Sequence, residues 1–210
     1  MTADDLRTEY ARRRAGILEP LAQRLVAHLQ DNLRGIERID RVGARAKGVD
    51  RFVAKAAKAL DGGGSKYEHP FEQIQDLIGA RIVVFYPQDV DVVSAVVERY
   101  YRRIERRDLI PESEAEFGYI GKHFIVAVPQ DVVDDAADID KTPKFFELQV
   151  KTLFQHAWSE ANHDLAYKPE EPLSTLQKRQ VAFTAAQAWG ADQIFGQLHT
   201  ELNGAPPLQA

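Results

Sequence analysis

The segment Ala80–Tyr86, with the sequence ARIVVFY, limits the folds open to this chain more than any other part of it. β-branched and aromatic side chains fill it, so it is predicted to be a buried strand, which needs paired neighbours. Further strands are predicted at Tyr119–Val128 and Phe145–Lys151, and Arg41–Lys47 is predicted to be a short extended segment. Because helical patterns alternate with these strands, the sequence predicts a domain of the α/β or α+β class.

Helical periodicity covers both ends of the chain and the intervals between the strands. Apolar residues at helical spacing predict an amphipathic helix over roughly residues 3–35. Two polar residues are predicted helix N-caps, Asp50 for a helix that ends near Leu60 and Ser174 for one that ends near Thr200. Shorter helices are predicted at Phe71–Leu77, Asp91–Tyr101 and Leu153–Leu165.

The composition excludes several classes of site. The chain contains no cysteine, which rules out disulfides, thiolate zinc sites, iron–sulfur clusters and cysteine nucleophiles. No apolar run approaches the ~20 residues that span a bilayer, and the first residues are polar and charged, unlike the apolar core of a secretion signal. We therefore expect a soluble cytoplasmic protein that does not bind membranes.

Charge is divided unevenly along the chain. The formal net charge is −5, which argues against a general nucleic-acid coat. Residues 1–58 contain 13 Lys and Arg against 8 Asp and Glu, whereas the remainder contains 14 against 24, so the two parts carry +5 and −10. Two interpretations stay open: neutralisation between solvated surfaces, or a polyanion site whose phosphates meet the basic part and whose metal meets the acidic part.

Polar side chains lie on one face of each of two predicted strands, since residues of equal parity share a face. The earlier strand presents together Tyr119, Gly121 and His123. The later strand presents together Glu147, Gln149 and Lys151. The pattern fits the solvent-facing side of an antiparallel sheet, and it also fits the floor of a cleft that carries a carboxylate, an imidazole and an aromatic ring.

A basic segment leads into the helix near residue 50. Arg45 and Lys47 share a face of the extended segment, and Arg51 and Lys55 lie one turn apart on the helix. Cations beside a helix N-terminus suit a triphosphate, and a solvated basic face has the same pattern. A second basic cluster, YYRRIERRD at 100–108, fits a solvated helix end or edge strand, or a grip on an RNA backbone. The sequence has no GxxxxGK[ST] motif, so a P-loop nucleotidase is not supported.

Five short strings occur in the order and with the internal spacing of one family. They are RAKGVDRFVAK (45–55), DLIGARIVV (76–84), GYIGKH (118–123), ELQVKT (147–152) and HAWSEANHDLAYK (156–168). On these strings the chain resembles the RelA/SpoT-type alarmone synthetases, especially the small single-domain members. The resemblance runs from about Arg41 to Lys168, and it implies one synthetase domain over residues 1–210 with helical flanks at 3–35 and 174–200.

The resemblance implies a fold and a reaction. The fold is α+β, with a nucleotidyltransferase-like mixed β-sheet surrounded by helices. The reaction is the transfer of pyrophosphate from ATP to the ribose 3′-hydroxyl of GDP or GTP, which gives ppGpp or pppGpp and AMP. This is alarmone synthesis in the stringent response, and phosphoryl-type transfer depends mainly on positioning and charge neutralisation.

Residue roles also follow from the resemblance. Asp76 and Glu147 occupy the family's positions for holding Mg²⁺, and Glu147 would also help to deprotonate the attacking hydroxyl. Arg45 is similar to the family's arginine that stacks on adenine. The family's residues that contact the ATP phosphates are similar to Lys47, Lys55 and Arg81. On the acceptor side the resemblance implies that Tyr119 stacks on guanine and that His123 contacts a phosphate. It also implies that Gln149 contacts the ribose or the metal-binding carboxylate.

The acceptor side departs from the family pattern, whereas the ATP side keeps it. Where small members carry a basic stretch before the G-Y motif, this chain has PESEAEF at 111–117. Lys151 and His156 replace an arginine and an asparagine of the family. Three functions stay open: a synthetase with a GDP or GTP acceptor, one with a tRNA 3′ end or an adenine nucleotide as acceptor, and a catalytically silent nucleotide-binding regulatory domain. Assembly into a homo-oligomer also stays open, and no matching degradative activity is expected.

Overall fold

A five-stranded mixed β-sheet forms the centre of the computed structural model, which describes residues 2–60, 62–111, 113, 116–118, 120–134, 139–167 and 172–204. The strands are β1 (Ile39–Ala46), β2 (Ile78–Val84), β3 (Arg103–Leu109), β4 (Gly121–Ala127) and β5 (Phe145–Thr152). They lie in the order β1-β2-β5-β4-β3. The β2–β5 pair is parallel and the other three pairs are antiparallel. The predicted α+β class with a mixed sheet is therefore confirmed.

Helices precede, connect and follow the strands. Their bounds are α1 (Ala3–Arg13), α2 (Glu19–Asn32), α3 (Val49–Ala56), α4 (Pro70–Gln73), α5 (Pro87–Tyr100), α6 (Leu153–Tyr167) and α7 (Thr175–Asn203). The predicted cap of α7 is correct, because the Ser174 hydroxyl accepts from the Gln177 amide and the Gln177 side chain accepts from the Ser174 amide. Among the described helices, none combines the length and the apolar character needed to cross a bilayer.

Several helices differ from their predicted extents, and α5, for example, begins at Pro87 rather than at Asp91. The N-cap of α3 is Gly48 rather than Asp50, which lies in the first turn, where a negative charge is favourable. The helix predicted over residues 71–77 is only the single turn α4, because the chain turns extended after it. Leu77 there accepts a 2.9 Å backbone hydrogen bond from the Lys47 amide, which continues the pairing of β1 with β2.

The long N-terminal helical segment changes its helix type in the middle. Helix α1 passes into α2 through a π-helical turn at Arg14–Leu18. Pro20 lies at the start of α2, directly after the π-helical turn, so the position without an N–H falls where the hydrogen-bond pattern changes. The segment is helical throughout residues 3–32, and the wider π-helical turn lies directly before Pro20. Leu21 and Leu25 of α2 are fully buried, and α2 packs on β1.

The main apolar core covers one face of the sheet. Phe146, Leu148 and Val150 of β5 are fully buried, as is Phe124 of β4. Because alternate residues of a strand point to opposite faces, the polar residues between them lie on the other face. This arrangement leaves the opposite face free to carry a polar site.

Candidate active site

The register of the sheet brings the polar faces of β4 and β5 together. His123 of β4 lies opposite Gln149 of β5, and Gln149 lies opposite Arg81 of β2. Residues directly opposite each other in a sheet present their side chains on the same face. Lys151 lies on this face and is only 3% exposed. The face is therefore partly covered, which supports the cleft interpretation over a simple solvent-facing sheet.

Glu147 is the central carboxylate of this face. Its Oε1 accepts a 2.6 Å hydrogen bond from Gln149 Nε2 and lies 3.2 Å from His123 Nδ1. Burial alone would raise the pKa of Glu147, but the hydrogen bonds from His123 and Gln149 outweigh burial and lower the pKa to about 2. Glu147 is consequently ionised at neutral pH, which suits a ligand for a divalent cation.

Asp76 precedes β2 and lies between two lysines. Lys47 Nζ donates a 2.7 Å hydrogen bond to Asp76 Oδ2, and Lys55 Nζ lies 2.9 Å from Oδ1. The contact with Lys55 is an ion pair that lacks hydrogen-bond geometry, so the buried Oδ1 has no hydrogen-bond partner. Both oxygens of Asp76 therefore lie against ammonium groups, so a hard cation could bind them only where the lysines turn to another anion, such as a phosphate.

Asp76 and Glu147 line the same cavity, whose volume is about 320 Å³. Its other lining residues are Arg45, Ala46, Lys47, Gly48, Arg51, Gly79 and Gln149. The predicted residues Lys55 and His123 join this group through their ion pairs with Asp76 and Glu147. Cationic side chains thus surround two carboxylates, which is the charge arrangement expected where a metal-bound polyphosphate binds.

Two carboxylates do not complete an Mg²⁺ site, so the predicted metal would need a substrate that supplies further ligands. Among the described residues, no group of three or more acidic or imidazole side chains is placed to hold a metal. Mg²⁺ sites of nucleotide enzymes commonly use one or two carboxylates, with waters and phosphate oxygens completing the octahedron. The cavity has two carboxylates in its lining, Asp76 and Glu147, and magnesium binding there stays a prediction.

A second, smaller cavity of about 160 Å³ adjoins the first, with Arg45, Gly79 and Gln149 lining both. Arg81 and Glu160 also line it, and Arg81 Nη1 lies 3.0 Å from Glu160 Oε1. The predicted ATP contact Arg81 therefore lies beside the carboxylate cavity rather than in its lining. Sequence reasoning alone misses Glu160 as a site residue.

Two of the departures from the family pattern are buried side chains near Arg81, namely Lys151 and His156. Burial lowers the pKa of Lys151 to about 8, although Glu160 opposes the shift, and its ammonium lies 3.2 Å from Ser159 Oγ. Burial, followed by Arg81 and Lys151, lowers the pKa of His156. The imidazole that replaces asparagine is consequently uncharged at neutral pH, as an asparagine is.

The acceptor side is described only in part. Tyr119 and two acidic residues of the 111–117 stretch, Glu112 and Glu114, lie outside the described residues. Phe117 is described, and its ring centroid lies 5.8 Å from that of Trp189 on α7. The stacking role of Tyr119 therefore stays a prediction.

The basic cluster at residues 100–108 contains β3, an edge strand. Its arginines form ion pairs with acidic neighbours: Arg103 and Arg106 with Glu98, Arg106 also with Asp108, and Arg107 with Glu105. The structure supports the interpretation as a solvated edge strand. Because neighbouring carboxylates balance these arginines, the cluster offers an RNA backbone less positive charge than its sequence indicates.

A larger cavity, of about 1020 Å³, lies elsewhere, between α1, α4 and the segment that leads into β5. The described residues that line this cavity do not include Asp76, Glu147 or Arg45. We therefore place the candidate site at the smaller cavity with the paired carboxylates.

Comparisons with known proteins agree on the family. A family profile described as "Region found in RelA / SpoT proteins" matches residues 44–172. GTP pyrophosphokinase YjbM of Bacillus subtilis (strain 168) is 28% identical over 147 residues, a match that spans 67% of this chain and 64% of that protein. The chain is thus matched to somewhat less than two thirds of that relative's length.

Solved structures show the same fold. A GTP pyrophosphokinase family protein from Streptococcus pneumoniae is 26% identical with a TM-score of 0.69, over 89% of this chain and 92% of that one. Small alarmone synthetase 1 from Bacillus subtilis is 24% identical with a TM-score of 0.70, over 89% of this chain and 95% of that one. The profile match covers more than half of the chain and includes every residue that lines the two cavities except Gly43. The chain belongs to the RelA/SpoT family.

Proposed function

We propose that this chain is an ATP-dependent 3′-pyrophosphotransferase that makes ppGpp or pppGpp from GDP or GTP. The observation that carries the proposal is the cavity shared by Asp76 and Glu147, surrounded by cationic side chains at family positions. A relative and a solved structure with this activity in their names, GTP pyrophosphokinases, support the choice of reaction.

The donor side of the cavity suits a triphosphate. Arg45, Lys47 and Arg51 line it, and the Lys55 ammonium is within ion-pair distance of Asp76. Asp76 and Glu147 would hold Mg²⁺ together with phosphate oxygens, and the bound ion would neutralise charge on the transferring group. The lysines that now contact Asp76 would exchange that carboxylate for phosphate oxygens when the donor binds.

The reaction requires one bond to form and one to break. The acceptor 3′-oxygen bonds to the β-phosphorus of ATP, the bond from that phosphorus to the α–β bridging oxygen breaks, and AMP leaves with that oxygen. The 3′-hydroxyl gives up its proton in the process. With a pKa of about 2, Glu147 is a weak base. We therefore infer that Glu147 acts mainly by orienting the metal and the hydroxyl, and that it accepts a proton only as the P–O bond forms.

The acceptor assignment rests on His123 and Gln149, which flank Glu147 on the same face of the sheet. His123 would contact an acceptor phosphate and Gln149 would support the carboxylate or the ribose. A tRNA 3′ end or an adenine nucleotide would use the same donor chemistry, and the ion-paired arginines of β3 do not favour RNA. ATP and guanine nucleotides are cytoplasmic metabolites, so a cytoplasmic location stays our prediction.

The assay that tests the proposal uses ATP labelled at its γ-phosphate, incubated with Mg²⁺ and with GDP, GTP, ADP or deacylated tRNA in separate reactions. We expect label to move to GDP and GTP, with AMP formed in equal amount. Label on tRNA or ADP alone would reject the guanine-nucleotide acceptor. Binding of ATP without transfer to any acceptor would identify a silent regulatory domain instead.

A further inference from the structure

The N-terminal helix α1 reaches the candidate site through the side chain of Tyr10. The Tyr10 hydroxyl donates a 2.9 Å hydrogen bond to the backbone carbonyl oxygen of Lys47. Tyr10 is fully buried, and burial raises the pKa of its hydroxyl, which therefore stays protonated and acts as the donor. The five motif strings of the sequence begin only at Arg45, so none of them indicates this contact.

Lys47 lies at the junction between strand β1 and helix α3. Its amide donates a 2.9 Å hydrogen bond to the carbonyl of Leu77, which continues the strand pairing. Its own carbonyl lies one residue before Gly48, the N-cap of α3, and so precedes the hydrogen bonds of the helix. A backbone carbonyl that neither element pairs needs another donor, which Tyr10 supplies. The peptide groups on both sides of Lys47 are therefore held.

The position of this backbone decides where the ammonium of Lys47 can lie. A lysine charge stands at the end of a flexible four-carbon chain, which has many conformations to lose when the charge binds. Lys47 Nζ lies 2.7 Å from Asp76 Oδ2, and both residues line the cavity proposed for the triphosphate. Holding the backbone reduces the freedom that the side chain must give up when the ammonium meets a phosphate.

The ring of Tyr10 makes a second, separate contact. It stacks on Phe52 of α3, with the ring centroids 3.8 Å apart and the planes inclined by 6°. Because phenylalanine has the same ring, the substitution Tyr10→Phe keeps this stack and removes only the hydroxyl. The hydrogen bond to Lys47 can therefore be deleted while the packing of α1 on α3 is kept.

We propose that Tyr10 is a positioning residue that holds Lys47 in place for the phosphates of the donor nucleotide. It would act through the Lys47 backbone and not by contact with the nucleotide. The inference rests on the proposed function and adds to it a role for the N-terminal helix. Loss of the hydroxyl should consequently weaken the donor and spare the acceptor.

Tyr10→Phe tests this assignment, with Tyr101→Phe as the matched control. Tyr101 is also buried, its hydroxyl contacts His28 and Asn32, and it lines neither of the two site cavities. With Mg²⁺ present, we expect Tyr10→Phe to weaken binding of the α,β-methylene analogue of ATP about three- to tenfold. The KM for ATP should rise by a similar factor, whereas the KM for GDP or GTP should not change. Tyr101→Phe should lower the Tm to a similar degree and leave the affinity for the analogue unchanged.

A double-mutant cycle with Lys47→Met separates positioning from a general effect on stability. If the hydroxyl acts through Lys47, Tyr10→Phe should cause no further loss of analogue affinity once the ammonium is absent. Equal fold losses in the two backgrounds would overturn the assignment, as would a lower Tm for Tyr10→Phe with wild-type affinity. Failure of the wild-type protein to bind the analogue would instead overturn the proposed function, and this inference with it.

Discussion

Lys47 Nζ lies 2.7 Å from Asp76 Oδ2, so the carboxylate proposed to bind the metal is already neutralised by a residue proposed to bind the nucleotide. The Lys55 ammonium contacts the other oxygen of this carboxylate, Asp76 Oδ1. A cation approaching without nucleotide must compete with two ammonium groups. A triphosphate that attracts the lysines would free Asp76 at the same time. The contacts therefore predict that metal binding and nucleotide binding are coupled.

This coupling predicts that Lys55→Met strengthens nucleotide-independent metal binding. Removing one ammonium from Asp76 should raise the affinity for Mn²⁺ about three- to tenfold in the absence of nucleotide, since a nearby like charge is removed. ATP affinity should fall in the same variant. Electron paramagnetic resonance of free and bound Mn²⁺ gives the measurement. Lys58→Met, at an exposed lysine just beyond the end of the same helix, is the control, and equal Mn²⁺ affinity in both variants would contradict the coupling.

Glu147→Gln should abolish pyrophosphate transfer while leaving the fold intact. The substitution keeps the shape of the side chain but removes the charge that would hold the metal and the group that would assist the hydroxyl. We expect a loss of at least about 100-fold in kcat, with circular dichroism and thermal melting close to wild type. Glu68→Gln, an exposed residue, provides the control. A variant with wild-type turnover would show that Glu147 is misassigned.

Tyr119→Ala should weaken the acceptor and spare the donor. The prediction comes from the GYIGKH string alone, because Tyr119 is outside the described residues. Loss of a base–aromatic stack is expected to cost about 1–3 kcal/mol, which would appear as a higher KM for GDP or GTP with an unchanged Kd for ATP. Tyr119→Phe should retain most acceptor affinity. An equal loss of ATP affinity in Tyr119→Ala would place the ring on the donor side.

Asp192→Asn should stabilise the protein at neutral pH. Asp192 is 2% exposed and accepts a 2.7 Å hydrogen bond from Thr152 Oγ1, while its second oxygen has no partner. Burial raises its pKa to about 6, against which the Thr152 bond acts. The folded state thus favours the protonated acid, so its stability is highest below the unfolded pKa near 4 and declines as the pH rises to about 6.

The amide keeps the Thr152 hydrogen bond and cannot ionise. Asp192→Asn should therefore unfold at a higher Tm than wild type at pH 7.5, by roughly 2–3 kcal/mol of unfolding free energy, and should match wild type near pH 4. Thermal melts at both pH values make the comparison, with the exposed Asp164→Asn as control. A difference between the variants that did not change with pH would rule out burial of the charge as its cause.

Much of the fold follows from local patterns in the sequence. The alternation of Phe146, Leu148 and Val150 with polar residues predicts both the strand β5 and its polar face. The pairing of β2 with β5 does not follow, because it joins distant parts of the chain and depends on how the helices pack. That pairing is what places Arg81 opposite Gln149.

The candidate site was predictable to a similar degree. The strings of the family identify residues that line or adjoin the two cavities, but Glu160 became visible only with the packing of α6 on the sheet. Its spacing of i, i+4 from His156 indicates a shared helix face and says nothing about Arg81. The helix predicted after residue 70 fails for a related reason, since strand pairing at Leu77 overrides local helical preference.

The charged edge strand β3 limits how the sheet meets other copies of the chain. The ion-paired arginines and carboxylates of β3 lie along the edge to which another strand would have to pair. Such an addition would strip solvated ions of water and separate their partners, which is how natural proteins discourage runaway sheet growth. The charges of β3 therefore disfavour the addition of a further strand along this edge of the sheet.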